Sequence, residues 1–272
     1  MTASRRMTAA LAAALALAAL AESAHAATAR TDASAYAKHC QNQSKKRVAG
    51  AKRTAFSTCV TAMARLARAR TRSATNACAT MSRRRSGARR SSPFQKCLAA
   101  AKRLVRHGNG VDRSYVEEMI VHHIGAVEMA QLALQRGQTP YVRGLAQSII
   151  TSQTAEITRM RGMAARLVAA GIPRVRLGLT KRQMGMDHDM SHLVGADPFD
   201  VHFVDMMIPH HQGAITMSRV LFTKGVGAAT RQLAEQIVVA QTREIEQMRN
   251  FRASLTGAPA PTPGAGADGH PH

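Results

Sequence analysis

Met119-Ile120-Val121-His122-His123-Ile124-Gly125-Ala126-Val127-Glu128-Met129 returns eighty-eight residues later as Met207-Ile208-Pro209-His210-His211-Gln212-Gly213-Ala214-Ile215-Thr216-Met217. Extended without gaps, Asp112 to Met163 aligns with Asp200 to Phe251, and 20 of 52 positions are identical. Leu145-Ala146 pairs with Leu233-Ala234, Gln153-Thr154 with Gln241-Thr242, Glu156-Ile157 with Glu244-Ile245, and Met160-Arg161 with Met248-Arg249. A repeat of this length marks two copies of one supersecondary unit.

Each copy has helical periodicity. In the first, apolar residues recur over Val116–Leu134 and again over Val142–Val168, with Gly137 and Pro140 between them. Gly171 and Pro173 then close the second helix. The second copy turns near Gly225 and Gly227. Two αα-hairpins, each with one apolar face, bury those faces best against each other. The expected fold of residues 111–255 is therefore an all-α, antiparallel four-helix bundle with pseudo-two-fold symmetry.

Polar residues fall on the faces that this bundle buries. At 100° per residue, Tyr115, Met119, His122, His123, Ala126 and Met129 share an arc of about 120°. Ile149, Gln153, Glu156, Ile157 and Met160 share a face of the following helix in the same way. Buried polar groups cost free energy unless they are paired or coordinated. His-His with Met three residues before and six after calls for partners, and a metal supplies them. Thioether with imidazole favours Cu(I), and by the same softness Ag(I). The candidate ligands are His122, His123, Met119, Met129, His210, His211, Met207 and Met217. The segment between the repeats adds Met186, His188, Met190 and His192, with Met184 close by. Glu156 and Glu244 are read as ligands, as partners orienting imidazoles, or as salt-bridge residues. Of the 15 methionines, 11 follow residue 110, in a chain with only nine aromatics and no tryptophan. Core filling remains an ordinary use for any one methionine.

Pro209 interrupts the second motif. Inside a helix it frees the carbonyl near Asp205 and bends the axis; alternatively it marks a late helix start.

These motifs resemble the DUF305 signature, as do Gly185-Met186 with Met190, and Phe199-Asp200 and Phe203 ahead of the second copy. The resemblance covers about residues 111–252. It implies a ferritin-like bundle, exported in many bacteria, with copper-binding or silver-binding members linked to metal tolerance. The first copy departs from the signature, since Val121 and Ile124 stand where the second has Pro209 and Gln212.

The rest of the chain has different physics. The overall net charge of +22 is concentrated in residues 27–110, which hold 20 Lys/Arg against one acid, Asp32. Residues 111–272 carry 16 Lys/Arg against 14 acids. The boundary is read near His107-Gly108-Asn109-Gly110. Four cysteines, Cys40, Cys59, Cys78 and Cys97, follow one another at intervals of nineteen. They define two units of thirty-eight residues, each with an aromatic (Phe56, Phe94) three places before its closing cysteine. Each unit is expected to be two short helices, and four regular cysteines suggest disulfides that staple a module with little core. Three connectivities exist; Cys40–Cys59 and Cys78–Cys97 are favoured because each closes one hairpin. The units resemble the PsiF-type repeat over about residues 36–104. Gly50, Arg53, Phe56 and Cys59 match its spacing, whereas Gly87 and Arg89 of the second unit are displaced.

The basic module implies anionic partners, namely lipid or envelope polymers. A solvated basic surface without a dedicated ligand is equally open. No motif supports specific nucleic-acid recognition. At the start of the chain, Arg5 and Arg6 precede the apolar run Leu11–Leu20 and the small-x-small site Ala24-His25-Ala26. This reads as a signal peptide over 1–26, placing the mature protein in the periplasm or outside the cell. Residues 256–272 read as a disordered Pro/Gly/Ala-rich tail ending His270-Pro271-His272.

Function is therefore expected to be soft-metal binding, for buffering, transport or tolerance. A polyanion or envelope-interaction protein with the bundle as scaffold is the alternative. A ferritin-like metal oxidase is the third reading. It is weakened because no Glu stands three residues before His122, His123, His210 or His211, as di-iron bundles require. Sequence does not specify the oligomeric state.

Overall fold

The computed structural model describes residues 36–84 and 91–257. The signal segment, Gly87 and Arg89, and the His270/His272 tail lie outside the described residues. Among the described residues the chain is all-helical, without strands. It divides into two compact units: residues up to 66 with 73–103, and residues 67–72 with 104 onward.

In the first unit a single 3-10 turn, Lys38–Cys40, precedes α1 (Ala55–Ala67), and a one-turn helix, α2 (Ala74–Ala77), precedes α3 (Pro93–His107). The expectation of two helices per repeat is thus met by one helix and one turn. The disulfides are Cys40–Cys59 and Cys78–Cys97. The repeat is structural as well as sequential. Phe56 N–H donates to the Ser44 carbonyl, and thirty-eight residues later Phe94 N–H donates to that of Ser82, both at 3.0 Å. Lys45 lies over the Phe56 ring at 5.3 Å and Arg83 over the Phe94 ring at 4.5 Å. Cross-linking supplements a core of few large residues, chiefly Tyr36, Met63 and Met81.

The second unit contains the duplicated hairpins. α4 (Gly110–Arg136) packs on α5 (Pro140–Ala169), and α7 (Phe199–Lys224) packs on α8 (Ala228–Thr256). α4 and α7 meet at the bundle centre. α5 and α8 touch through long side chains, with Tyr141 stacked on Phe251 at 4.3 Å and Arg159 donating to Gln236 at 2.7 Å. α7 runs unbroken through Pro209, so its start lies at Phe199, not at the proline.

Sequence starts and stops these helices locally. Asn109 and Asp112 form a capping box at α4, and Thr139 caps α5 ahead of Pro140. Gly257 at φ 67° closes α8.

The two hairpins lock each other through a symmetric pair of buried carboxylates. Asp112, at the start of α4, accepts from Val226 N–H and Gly227 N–H at 3.0 Å, in the α7–α8 turn, and from the Thr230 hydroxyl. Asp200, at the start of α7, accepts from Gln138 N–H and Thr139 N–H at 2.8 Å, in the α4–α5 turn, and from the Thr139 hydroxyl at 2.6 Å. Residues 226 and 227 are the repeat counterparts of 138 and 139. Each hairpin therefore ties down the other's turn.

The crossover between the hairpins runs alongside α4 in the same direction. Arg113 donates to the Ile172 carbonyl at 2.7 Å, and Val175 N–H to the Ser114 hydroxyl at 2.9 Å. Arg174 pairs with Glu117 at 2.9 Å and Glu118 at 2.7 Å. At the far end Arg136 reaches the carbonyls of Leu193, Val194 and Ala196 around the short α6 (Met190–Val194). In between, the backbone at Met184 and Gly185 presses on Gly213, where a Cβ would lie 1.9 Å from the Met184 oxygen. Only glycine admits this approach. No described helix is long and apolar enough to cross a membrane.

Candidate metal centre

His122 and His210 are repeat equivalents, and the central α4–α7 crossing brings them together. Their ring centroids are 3.7 Å apart, and His122 Nε2–H donates to the His210 carbonyl at 2.9 Å. The pseudo-two-fold axis thus passes beside a close, tilted imidazole pair. Their neighbours turn the other way, each toward its own hairpin partner. His123 Nε2–H donates to Glu156 on α5 and His211 Nε2–H to Glu244 on α8, both at 2.7 Å. Each glutamate is thus a hydrogen-bonded partner of one imidazole, an arrangement that serves an orienting role and an ion pair alike.

The acceptors set the tautomers. A carbonyl or ionised carboxylate only accepts, so in a neutral ring Nε2 of His122, His123 and His211 carries the proton and Nδ1 has the lone pair. All three Nδ1 atoms are buried without a hydrogen-bond partner, as are both ring nitrogens of His210. One turn before the glutamates, the equivalent Gln153 and Gln241 are buried with unpartnered amide atoms. A carboxylate–imidazole pair with a free opposite nitrogen is how proteins orient metal-binding histidines.

Burial also keeps the central pair uncharged. Desolvation holds the pKa of His122 and of His210 well below the usual imidazole range; adjacent imidazoles push in the same direction. Neutral imidazole is the form that ligates. Tyr115, one turn before Met119, shares a 3.0 Å hydrogen bond with Ser218, and burial raises its pKa.

The methionines divide. Met119, Met129, Met207 and Met217 are wholly buried. Met129 and Met207 sit in an apolar cluster with Phe199, Phe203 and Met248, an environment that core filling alone accounts for. Met190 packs against the same cluster from the short α6, Met186 is half-buried, and His192 is exposed. His188 lies against His210, with ring centroids 5.1 Å apart. Among the described residues no group of three or more His, Cys, Asp or Glu side chains converges on one point. The donors are therefore imidazole nitrogens in pairs, with Met206 lining the same cavity as His188 and His210, a set that could hold a soft ion of low coordination number better than a hard one.

Sequence reasoning passed over His202, Asp205 and Met206. They line a cavity of about 290 Å³ with His188, His192 and His210. The available signal was the imperfection of the repeat, since His202 and Met206 stand where the first copy has Ser114 and Glu118.

Comparison with known proteins places these features in a wider set. The family described as "Domain of unknown function (DUF305)" matches residues 7–164 and 177–252, most of the chain. The match extends well ahead of the stretch that carries the signature. CopM, solved in a Cu(I)-bound form, is 32% identical over 54% of this chain and 98% of its own, with a TM-score of 0.46. A DUF305 protein from Streptomyces coelicolor is 27% identical over 56% of this chain and 96% of its own, with a TM-score of 0.49. A DUF305 fragment from Deinococcus radiodurans is 31% identical over 54% and 99%, with a TM-score of 0.46. No curated protein matches the chain.

Proposed function

The chain belongs to the DUF305 family, and on that premise we propose that it is an exported binding protein for a soft metal ion. The ion is copper, with Cu(I) favoured, or silver, and the role is buffering, transport or tolerance. The observation that carries this reading is the buried imidazole seam with its unpartnered nitrogens. A buried acceptor without a donor costs about 1–3 kcal/mol. Four such acceptors, with one unpartnered N–H on His210, together rival the roughly 5–15 kcal/mol by which a whole domain is stable. A seam of that cost, present in both copies of the repeat, fits a guest ion better than it fits a core. In this reading His122, His123, His210 and His211 bind the ion, Glu156 and Glu244 orient two of them, and Met119 and Met217 supply thioethers, while Met129 and Met207 fill the core. Copper and silver are also the ions named for CopM; the assignment here rests on this chain's own donors. The activity proposed is binding, not catalysis.

The test is anaerobic titration of purified protein with Cu(I) or Ag(I) in competition with a chromophoric chelator. His122→Ala/His123→Ala and His210→Ala/His211→Ala should each lose bound ion while remaining helical. Unchanged stoichiometry and affinity in both, or a preference for iron or zinc, would reject the reading.

A second activity is favoured by the charge of residues 27–110, which we take to hold the protein at anionic lipid or envelope polymers; the PsiF-type resemblance belongs to this part of the proposal. Replacing the Lys and Arg residues of 27–103 by Gln should abolish sedimentation with phosphatidylglycerol vesicles and leave copper stoichiometry intact. The two disulfides are in keeping with an oxidising, periplasmic or secreted location.

A further inference from the structure

The crossover breaks the symmetry of the bundle at one position, and it does so with an imidazole. Gly185 adopts φ +65°, and a Cβ there would lie 2.5 Å from the Pro209 carbonyl oxygen and 2.8 Å from His210 Cα. Being glycine, it lets the crossover press directly on α7 beside His210. Three residues later His188 Nδ1–H donates to the Gly185 carbonyl at 3.1 Å. That bond closes a local turn and leaves His188 Nε2 with the lone pair.

His188 Nε2 then faces the same small space as His210 Nε2. The position that a Cβ on Gly125 would occupy is 3.7 Å from the first and 3.6 Å from the second. His210 Nε2 is buried and has no hydrogen-bond partner. The equivalent position in the other copy offers no such space, because at Gly213 the backbone of Met184 and Gly185 fills it. The feature is therefore single, although the repeat is double.

We propose that His188 and His210 form a two-imidazole site for a monovalent soft cation beside Gly125, and that this site is where the ion passes between solvent and the buried seam. The inference rests on the soft-metal reading above and adds to it one specific site and a direction of access. A d¹⁰ monovalent ion accepts two nitrogen donors, so the pair does not need a third. Solvent reaches the pair through the cavity of about 290 Å³, on whose wall His202 and Met206 offer further soft donors. On the inner side His210 lies against His122, with ring centroids 3.7 Å apart, and Nδ1 of His122 is also without a partner.

Gly125→Ala tests this with little risk to the fold. Its methyl would make ordinary van der Waals contact with both nitrogens, and alanine is the better helix former. The same methyl would stand in the space that an ion between them needs. The second variant is His188→Gln, at a half-buried position in the crossover. The probe is Ag(I), which is redox-silent, read by competition titration and by ¹⁵N chemical shifts of the labelled imidazoles. Wild-type protein should show Ag(I)-dependent shifts at Nε2 of both His188 and His210. Each variant should lose one equivalent of Ag(I), or bind the first equivalent at least tenfold more weakly, and should load the remainder more slowly. Unchanged stoichiometry, affinity and loading in either variant overturns this site while leaving the soft-metal reading standing. Failure of the wild type to bind Ag(I) at all would overturn both.

Discussion

Acidification should weaken the fold of the metal-free protein through His122 and His210. Burial holds the folded-state pKa of both well below that of an exposed imidazole, which lies near about 6.5. The unfolded chain therefore binds protons that the folded chain refuses. Stability from this source is complete above about pH 6.5 and is lost as the pH falls below it, at up to about 1.4 kcal/mol per pH unit for each histidine. An imidazole that stays neutral in the folded state from pH 7.5 to 5 loses about 2 kcal/mol over that range, and the pair about 4 kcal/mol. Against a domain stability of roughly 5–15 kcal/mol this is a large fraction. The assay is urea unfolding followed by circular dichroism at half-unit pH steps, for the wild type, His122→Gln and His210→Gln. Other titrating groups contribute equally to all three, so the difference in slope isolates the pair. Each single variant should flatten the dependence by about 1.2 kcal/mol per pH unit between pH 6 and 5. Slopes identical to the wild type in both variants would refute the claim that burial keeps these imidazoles neutral.

Saturating Ag(I) at about a thousandfold above its dissociation constant should raise the unfolding free energy at pH 7 by about 4 kcal/mol, visible as a higher urea midpoint. Glu156→Gln and Glu244→Gln should each weaken metal affinity by about 10–100-fold while leaving helicity unchanged, because the imidazole is no longer held in its tautomer by a carboxylate; competition titration reads this. Asp112→Ala and Asp200→Ala should each cost about 3 kcal/mol or more, since two turn N–H groups lose their acceptor, and thermal unfolding of either variant should begin well below that of the wild type. Cys40→Ser/Cys59→Ser should destabilise the first unit by about 3 kcal/mol, measured by proteolysis of residues 36–66, with no change in metal stoichiometry.

Much of this architecture could be read from the chain alone. The eighty-eight-residue repeat and its 3.6-residue periodicity specify two αα-hairpins, because only mutual burial of their apolar faces removes those faces from water. Regular cysteine spacing favoured, among three connectivities, the disulfide pairing that the structure has. The donor types on the buried stripe were legible for the same reason: position on a helix follows from spacing. What spacing cannot supply is which residue of one helix faces which residue of another. Only the α4–α7 crossing sets His122 against His210 while sending His123 and His211 to glutamates on α5 and α8. Only the hairpin-to-hairpin docking turns Asp112 and Asp200 into reciprocal locks, where the repeat showed two aligned aspartates. The crossover was the least legible segment, being irregular backbone with no period. Its path along α4, set by Arg113, Ser114 and Arg136 and by the missing side chains of Gly185 and Gly213, is what carries His188 to His210. Local periodicity thus determined the elements and their buried chemistry. Long-range contact alone decided which donors meet, and it did so through close backbone approaches that no sequence spacing encodes.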